Sequence, residues 1–538
     1  MNDTQVIIVG AGPVGLTLSI ALSDLGVRSI LLERNAAPSG LPKMERCNAR
    51  TMEIYRRLGI VEQIRAAGLP ADCPMDVFVV TSLVEEPILR LPYDSVKACQ
   101  EDIAAHNDGT RTLEPYQLIS QYTLEPLLKK IAEADPNIDV RFGCEFLRFE
   151  DLGERVIAHY RHSDGRDDAV SADYLVGCDG ARSPVRKQLG IELDGPGEML
   201  TMYQALFRCD DLFERIPIGK GRHYHVCDDQ AGFVIVQDDT RHFTLHAVVD
   251  DESEMPKLFE KIVAMPIEYE TLFIGQWTQR LLLADRYGAG RVMIAGDAAH
   301  LVIPTGGLGM NTGVGDVNDL AWKLHGTLAG WGGDQLLASY EIERRQLGDR
   351  NVAASGRANS GRREWRAAWR PEIRDQTPEG EKVRANVAEI ANREQRKTNE
   401  ILGIEAGYRY IDSPLIWPEP GEGPDANNPD YVPTTWPGFR LPHVWLEDGS
   451  AIHDHLGKGY VLLRLDNDRE DLSELLAAFE AIGAPLEVSA FDDPHAVEVY
   501  EGYELFLLRP DLHIVWRGNA APSDPAKLCA IATGHSAR

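Results

Sequence analysis

Apolar runs and helical periodicity alternate along the first third of the chain. Residues 5–9 (QVIIV) predict a buried parallel strand, residues 14–25 carry apolar positions at helical spacing, and residues 28–33 predict a second strand. This order predicts a β-α-β unit at the start of the chain. The same patterns predict helices near 48–58 and 120–134, and strands at 138–149, 155–162 and 173–178.

The pattern changes between residues 200 and 280. Segments such as RHYHV, GFVIVQ and HFTLHAVV alternate apolar and polar positions, which predicts a largely antiparallel sheet. Residues 291–295 return to a buried strand, residues 308–330 predict a helix, and residues 335–400 are charged and mostly helical. The sheet is therefore expected to interrupt an α/β domain.

The C-terminal region follows an irregular connector. Residues 413–438 are rich in Pro, Gly and Asn, which favours irregular structure. Roughly the last hundred residues give the order β-α-β-β-β-α, with the strands YVLLRL, PLEVSAF, ELFLLR and HIVWRG. That order resembles a thioredoxin-type fold.

Composition and charge exclude several classes of function. The net charge of -29 would repel nucleic acid and anionic membranes, so neither is expected as a partner. The eight cysteines are scattered, without a CxxC pair or a zinc spacing, which predicts no metal centre, no disulfide framework and a reducing, cytoplasmic location. The N-terminus does not resemble a signal peptide, and no run of 18 apolar residues predicts a spanning helix.

A glycine-rich motif joins the first strand to the first helix. Gly10, Gly12, Pro13 and Gly15 lie in GAGPVG, and Glu33 ends the second strand. The glycines permit a tight turn and the close approach of a pyrophosphate, and the free N–H groups of the helix face the phosphates. Glu33 can accept hydrogen bonds from a ribose diol. The motif predicts dinucleotide binding but does not separate FAD from NAD.

Two further motifs follow strands. Asp179 lies in CDGARS, where Asp-Gly alone is an ordinary turn. Gly296 and Asp297 lie in GDAAH, where a carboxylate at a strand end can hold a ribose or ribityl hydroxyl. A glycine-rich run then begins a helix whose N-terminal amides favour an anionic flavin edge, although a glycine hinge before a core helix would have the same sequence. The members of this run are Gly306, Gly307, Leu308, Gly309, Met310 and Asn311.

Together, the order and spacing of the three motifs resemble the class A flavoprotein monooxygenases, which are FAD-dependent aromatic hydroxylases. The likeness covers roughly residues 5–350. Gln121 stands where this family has a flavin-facing glutamine, and residues 42–53, which contain NARTME, resemble its early flavin-contacting segment. The tail narrows the resemblance to the phenol hydroxylase-like branch. The cofactor residues that the resemblance implies are Gly10, Gly12, Pro13, Gly15, Glu33, Arg34, Arg50, Gln121, Asp179, Gly296, Asp297, Pro304, Gly307, Leu308, Gly309, Met310 and Asn311.

The resemblance also implies the fold and its division. It implies an α/β fold with a Rossmann-like FAD-binding domain of the glutathione reductase type, an inserted, mostly antiparallel substrate domain and a thioredoxin-like C-terminal domain. The expected bounds are 1–195 with 285–400 for the FAD-binding domain and its helical extension, 196–284 for the substrate sheet, 401–440 for the connector and 441–538 for the tail.

The implied reaction is hydroxylation of a phenolic or related aromatic compound with O2 and NADH or NADPH, through a flavin C4a-hydroperoxide. The cofactor carries the hard chemistry, so few catalytic side chains are expected. Pro304 is expected beside the flavin and oxygen. Tyr203, Tyr224 and His225 are candidates to hydrogen-bond a phenol, with ordinary sheet residues as the alternative interpretation. The expected assembly is a homodimer.

Two departures from the family pattern bear on catalysis. Glu45 stands where related phenol hydroxylases often have a histidine, so it is a candidate base for the phenol. The favoured interpretation is that Glu45 pairs with Lys43 or Arg46 and orders the loop. The tail has only Cys529, which predicts a domain without disulfide chemistry.

Three alternatives stay open. The chain could be a flavin dehydrogenase or reductase that inserts no oxygen, since such enzymes share the first two motifs. It could also be a flavin-binding protein without catalysis. Within the hydroxylases, a polyketide-tailoring enzyme is the alternative to a phenol hydroxylase.

Overall fold

The structure, a computed structural model, describes residues 3–467 and 469–535. The ends of the expected first and last domains, residues 1–2 and 536–538, therefore lie outside the described part. The strands up to residue 208 are β1 Val6–Val9, β2 Ser29–Glu33, β3 Arg46–Cys47, β4 Val77–Val80, β5 Leu89–Leu91, β6 Gln117–Leu118, β7 Ile138–Phe142, β8 Cys144–Asp151, β9 Val156–His162, β10 Asp167–Ala172, β11 Tyr174–Gly177 and β12 Leu193–Arg208. The later strands are β13 His223–Val226, β14 Phe233–Val236, β15 His242–Ala247, β16 Glu270–Ala284, β17 Gly288–Ala289, β18 Val292–Ile294, β19 His300–Leu301, β20 Tyr460–Arg464, β21 Leu486–Ala490, β22 Leu505–Leu508 and β23 Ile514–Gly518.

The helices include those predicted at 14–25, 48–58, 120–134 and 308–330, together with others that the sequence analysis did not predict. They are α1 Pro13–Asp24, α2 Ala49–Arg57, α3 Val61–Ala67, α4 Val96–Ala105, α5 Gln121–Glu133, α6 Pro184–Gln188, α7 Leu212–Arg215, α8 Glu254–Val263, α9 Leu308–Ala329, α10 Asp334–Ala367, α11 Pro378–Glu394, α12 Arg396–Asn399, α13 Leu402–Ala406, α14 Ser473–Ile482, α15 Pro494–Val499 and α16 Pro525–Ala532. Short 3-10 turns lie at Gly296–Ala298, Pro371–Arg374 and Ile452–His455.

The predicted β-α-β unit is present and belongs to a six-stranded sheet. Its strand order is β17-β18-β11-β1-β2-β7, and β1 pairs in parallel with both β2 and β11. The strands at its centre are buried on both faces, as their continuous apolar runs predict. The carboxyl ends of β1, β11 and β18 lead directly into the three sequence motifs. Parallel pairing therefore brings motifs that are far apart in the chain to one edge of the sheet.

An eight-stranded sheet forms the second layer, in the order β19-β16-β12-β15-β14-β13-β4-β5. Most of its pairs are antiparallel, as predicted, but β13 pairs in parallel with β4. The sheet is not confined to residues 196–284, because β4 and β5 join it from the early part of the chain and β19 joins from beyond it. One face packs against α8 through Met255, Leu258 and Phe259. The other face is turned toward the six-stranded sheet.

The C-terminal region folds around a four-stranded sheet of order β21-β20-β22-β23. Strand β20 pairs in parallel with β21 and antiparallel with β22. The observed order of elements is β-α-β-α-β-β-α, so the predicted order lacks α15. This helix has six residues and begins at Asp493–Pro494, which is too short to produce a helical period in the sequence.

Candidate functional site

One cavity of about 680 Å³ runs between the two large sheets. Its first side is built from the glycine loop after β1, the end of β2 and the start of α9. Its second side is built from β13 to β16 and from α10. We call the second side the substrate chamber and define it by Arg222, His223, His246, Trp277 and Arg362. The cavity is thus continuous from the dinucleotide motif to the sheet.

The glycine loop has the close packing that its sequence predicts. Gly10 has a φ of 102°, and a Cβ there would overlap the carbonyl oxygen of Cys178 on the next strand. A Cβ on Gly15 would overlap the carbonyl oxygen of Gly10. Helix α1 begins at Pro13 without a side-chain cap, so its first N–H groups remain available to phosphate oxygens.

Three carboxylates lie along the same side of the cavity. Glu33 accepts a hydrogen bond from the Ala11 N–H over 2.9 Å, which ties the end of β2 to the glycine loop. Asp179 has an Oδ1 atom that is buried without a partner among the described residues, and burial raises the pKa of this carboxyl. The exposed side chain of Asp297 lines the cavity and accepts no hydrogen bond from the described residues. These acceptors suit the hydroxyl groups of a ribose and a sugar-alcohol chain.

Helix α9 points its N-terminus at the cavity. Its cap residue, Gly307, has a φ of 64°, and no side chain caps the helix. Gly306, Gly309 and Met310 line the cavity beside it. The uncapped amides and the helix dipole would stabilise a negative charge placed there, such as that of a reduced flavin.

Comparison with known proteins decides the family. Residues 3–355 match the family model described as FAD binding domain, and residues 434–534 match aromatic-ring hydroxylase, C-terminal. The chain belongs to the FAD-dependent aromatic-ring hydroxylases. These enzymes are flavoprotein monooxygenases, so the predicted class and the predicted cofactor, FAD, are confirmed.

Individual relatives match nearly the whole length of this chain. The hydroxylase is 33% identical to the FAD-dependent monooxygenase apdD of Emericella nidulans, over 99% of this chain and 91% of that protein. Its structure superposes on that of the rebeccamycin biosynthetic enzyme RebC with reduced flavin, with a TM-score of 0.90, 32% identity and 99% of each chain covered. Aklavinone-11 hydroxylase in complex with FAD and aklavinone gives a TM-score of 0.84, at 26% identity and with 99% of each chain covered.

Most of the predicted cofactor residues lie along the cavity, and together they fit FAD. The fit rests on the glycine cradle, the unpartnered acceptors of Asp179 and Asp297, and the uncapped amides of α9. The predicted residues that line the cavity are Gly10, Gly12, Pro13, Glu33, Arg34, Gln121, Asp179, Asp297, Pro304, Gly307, Gly309 and Met310.

Five predicted cofactor residues do not line the cavity. Arg50 is buried and donates to the Asp511 carbonyl over 3.0 Å, so it attaches α2 to the C-terminal region. Leu308 packs in a small apolar cluster with Ile401 and Ile404. Asn311 accepts from the Asn48 N–H over 2.9 Å, which fixes the segment before α2 against α9. Gly15 and Gly296 allow close packing around α1 and thus support the cofactor side without lining it.

The three predicted substrate residues are corrected by the structure, because none of them lines the cavity. Tyr224 stacks on Phe78 at 5.1 Å, and its hydroxyl donates to the Gly219 carbonyl, so it is a core residue. Tyr203 is half-buried and packs against the core on the α8 face of the sheet. His225 is fully buried beyond the chamber, beside Trp365 and Gln395. For all three, the ordinary sheet-residue interpretation holds.

The chamber is lined instead by residues that the sequence analysis missed. His246 accepts from Trp277 Nε1–H at its Nδ1 atom over 3.1 Å. Burial lowers the pKa of His246 to about 3, so the ring is neutral and carries its proton on Nε2. Gln204 lies directly opposite His246 across the β12–β15 ladder and faces the same side. Strand alternation is consistent with Gln204 and His246 on one face of the sheet. It does not show which face lines the cavity.

Glu45 also has a different partner from the one expected. Its Oε2 atom lies 2.7 Å from Nε2 of His223, and Arg46 pairs with Glu405 instead. Burial works to raise the pKa of Glu45, but His223, Arg222 and Arg46 outweigh it and lower this pKa to about 2. Burial lowers the pKa of His223 in turn. Glu45 is therefore an ionised acceptor. Segment 42–53 itself lacks a histidine, but β13 places His223 beside Glu45.

All eight cysteines are free thiols. Among the described residues, no cluster of His, Cys, Asp and Glu could hold a metal ion. Within that same part of the chain, every helix is too short or too polar to reach across a bilayer.

Proposed function

We propose that this monooxygenase hydroxylates an aromatic compound with O2 and NADH or NADPH. The observation that carries the proposal is the continuous cavity, which joins the FAD side at Pro304 and Gly307 to the substrate chamber at His223 and His246. A substrate in the chamber would lie next to the cofactor with no wall between them.

The chain's own residues bind, orient and handle protons. When bound, FAD supplies reactive oxygen derived from O2 after reduction by the nicotinamide cosubstrate. Asp179, Asp297 and the amides of α9 would hold it. Trp277 and Phe233 line the chamber and would contact an aromatic substrate. The Glu45–His223 pair would accept a phenolic proton, with the carboxylate holding the imidazole in one tautomer.

The experiment is NAD(P)H oxidation by the FAD-loaded enzyme, followed with an oxygen electrode and a panel of phenols. Products would be analysed by mass spectrometry after reaction under ¹⁸O2. We expect oxygen uptake stimulated by one class of substrate and one labelled oxygen atom in the product. Cosubstrate oxidation without labelled product for every compound would favour a flavin oxidoreductase that inserts no oxygen.

A polyketide-type substrate is the second candidate. The relatives favour it, since aklavinone-11 hydroxylase is complexed with aklavinone and RebC is a rebeccamycin biosynthetic enzyme. The panel should therefore include naphthols and anthraquinones beside single-ring phenols. Activity confined to single-ring phenols would contradict this candidate.

The finer structural predictions also stand as proposals. The sheet order β21-β20-β22-β23, with one parallel and two antiparallel pairs, supports a thioredoxin-like C-terminal domain. The division into FAD-binding, substrate and C-terminal domains is supported by three separate sheets, with β4 and β5 added to the substrate domain. The homodimer and the cytoplasmic location remain predictions, the first of which light scattering would test.

A further inference from the structure

Arg362 is a cation inside the substrate chamber without a polar partner. It extends from α10, lines the cavity, and makes no hydrogen bond or ion pair with the described residues. Its Nε atom is buried, and its guanidinium lies 5.3 Å from the ring centre of Phe233. Burial, with the nearby Arg366, lowers the pKa of Arg362 to about 9, which still leaves it charged at neutral pH. A guanidinium whose Nε–H is buried without an acceptor is costly unless a ligand supplies one.

Arg222 is a second cation in the same chamber. It immediately precedes β13 and is 6% exposed. Its side chain donates to Asn399 Oδ1, a neutral acceptor, while its Nε atom has no partner among the described residues. Burial lowers the pKa of Arg222, and Glu45 opposes that shift. One amide oxygen leaves most of the donor capacity of this guanidinium unused.

The local charges do not cancel. Glu45 is the carboxylate that acts on both guanidiniums, and its Oε2 atom is already bonded to His223. Arg46, the other cation near Glu45, is neutralised by Glu405. Arg222 and Arg362 together therefore exceed Glu45 by one positive charge. A chamber that carries an excess positive charge favours a ligand of the opposite sign.

We propose that Arg222 and Arg362 form an anion subsite that binds a carboxylate carried by the aromatic substrate. The inference rests on the proposed function, because it assigns that substrate a chemical class. A carboxylate is planar and accepts paired N–H donors from a guanidinium, so it matches these two side chains better than a neutral phenol. Phe233 and Trp277, which line the same chamber, would contact the ring.

The test is a pair of probes that differ in one group. 1-Hydroxy-2-naphthoate and 1-hydroxy-2-naphthamide share the ring and the phenol, so a difference in affinity reports the carboxylate. Binding to the FAD-loaded enzyme would be measured by titration calorimetry without NAD(P)H. We expect the acid to bind more tightly than the amide in the wild type. Arg222→Met and Arg362→Met should each weaken binding of the acid by about tenfold to a hundredfold and change binding of the amide little.

Two further variants make the test specific. Arg363→Met removes an exposed arginine from the next position of α10 and should leave both affinities unchanged. Arg362→Lys keeps the charge without the paired donors and should retain part of the preference for the acid. Flavin content, measured for every variant, would show whether the cofactor site is intact.

The outcomes separate this inference from the proposed function. Equal binding of acid and amide in the wild type would overturn the subsite, and so would variants that lose both probes equally. Selective binding of the acid by a protein that never couples NAD(P)H oxidation to oxygen insertion would support the subsite and contradict the proposed function.

Discussion

His223 Nε2 lies 2.7 Å from Glu45 Oε2, and this contact joins the loop beside the cofactor site to the sheet that forms the substrate chamber. The two residues are 178 positions apart in the chain. Because the pKa of Glu45 is lowered to about 2, its carboxylate accepts and Nε2 carries the proton. The other ring nitrogen, Nδ1, is buried and has no partner among the described residues. Neutral His223 thus has an unused acceptor.

The pH dependence of hydroxylation should follow His223. Burial lowers its pKa below the usual 6.5, so the neutral base persists as the pH falls through 6.5 and is lost only below that. The rate of product formation should therefore stay level through this pH and decline only in more acidic buffer. Glu45→Gln should move the acidic decline to still lower pH, since the carboxylate is what opposes the drop in the histidine pKa.

His223→Gln supplies the direct check, because glutamine does not titrate. If His223 is the base, rapid-quench measurements should show product formation slowed by about a hundredfold in this variant. The rate should also no longer decline in acidic buffer. The control is His242→Gln, which replaces a half-buried histidine of β15 that pairs with Asp239. This variant should keep the wild-type pH profile. An unchanged profile in His223→Gln would rule out this histidine as the base.

Asp297→Ala should weaken FAD binding and leave the fold intact. The carboxylate faces the cavity without a partner among the described residues, so it is free to accept from a cofactor hydroxyl. Loss of one hydrogen bond to a charged group corresponds to about a tenfold to hundredfold higher Kd, measured by fluorescence on reconstitution of the apoprotein. Asp285→Ala, a nearby exposed acid outside the cavity lining, is the control. Equal affinity in the two variants would contradict the role of Asp297.

Gly10→Ala should damage the cofactor site more than a matched glycine substitution elsewhere. Gly10 (φ 102°) and Gly26 (φ 75°) both have positive φ, so alanine is strained at both positions by about 1–2 kcal/mol. Only at Gly10 would the new Cβ overlap the backbone of Cys178, whereas nothing lies within 4 Å at Gly26. FAD content after purification should fall sharply in Gly10→Ala and stay near one per chain in Gly26→Ala. Full FAD content in both would show that the loop tolerates a side chain.

The cofactor side was predictable because its signals are local. A few neighbouring residues identify the glycine loop, Glu33 and the strand before Asp297. The carboxyl ends of parallel strands lie at the same edge of a sheet, which brings these segments together. Helical periodicity placed α1, α2 and α9 for the same reason. The sequence therefore predicted the family, the cofactor and most of the residues that line the cofactor side of the cavity.

The substrate side was not predictable, because it depends on which face of a sheet is covered. Alternation separates Tyr203 from Gln204, but only the packing of α8 shows that Tyr203 is on the core side of the sheet. The position of Arg362 depends on how a 34-residue helix crosses the cavity. The role of Arg50 depends on its hydrogen bond to Asp511, which is 461 positions away. Neither contact can be recognised from a pattern in a single sequence.

Arg509→Met should destabilise the whole chain, because this side chain joins the C-terminal region to the FAD-binding region through buried charges. Arg509 is fully buried and donates to Asp319, Glu343 and Asp511, each over 2.7 Å. Without it, Lys323 would be left to compensate Asp319 and Glu343, and Asp511 would lose its guanidinium partner. The expected loss is about 3–5 kcal/mol, seen as a lower thermal midpoint of the FAD-loaded enzyme. Lys458→Met is the control, since its pair with Asp24 joins the same regions at the surface and should contribute at most about 1 kcal/mol. Similar midpoints for the two variants would mean that the buried charges do not hold the C-terminal region in place.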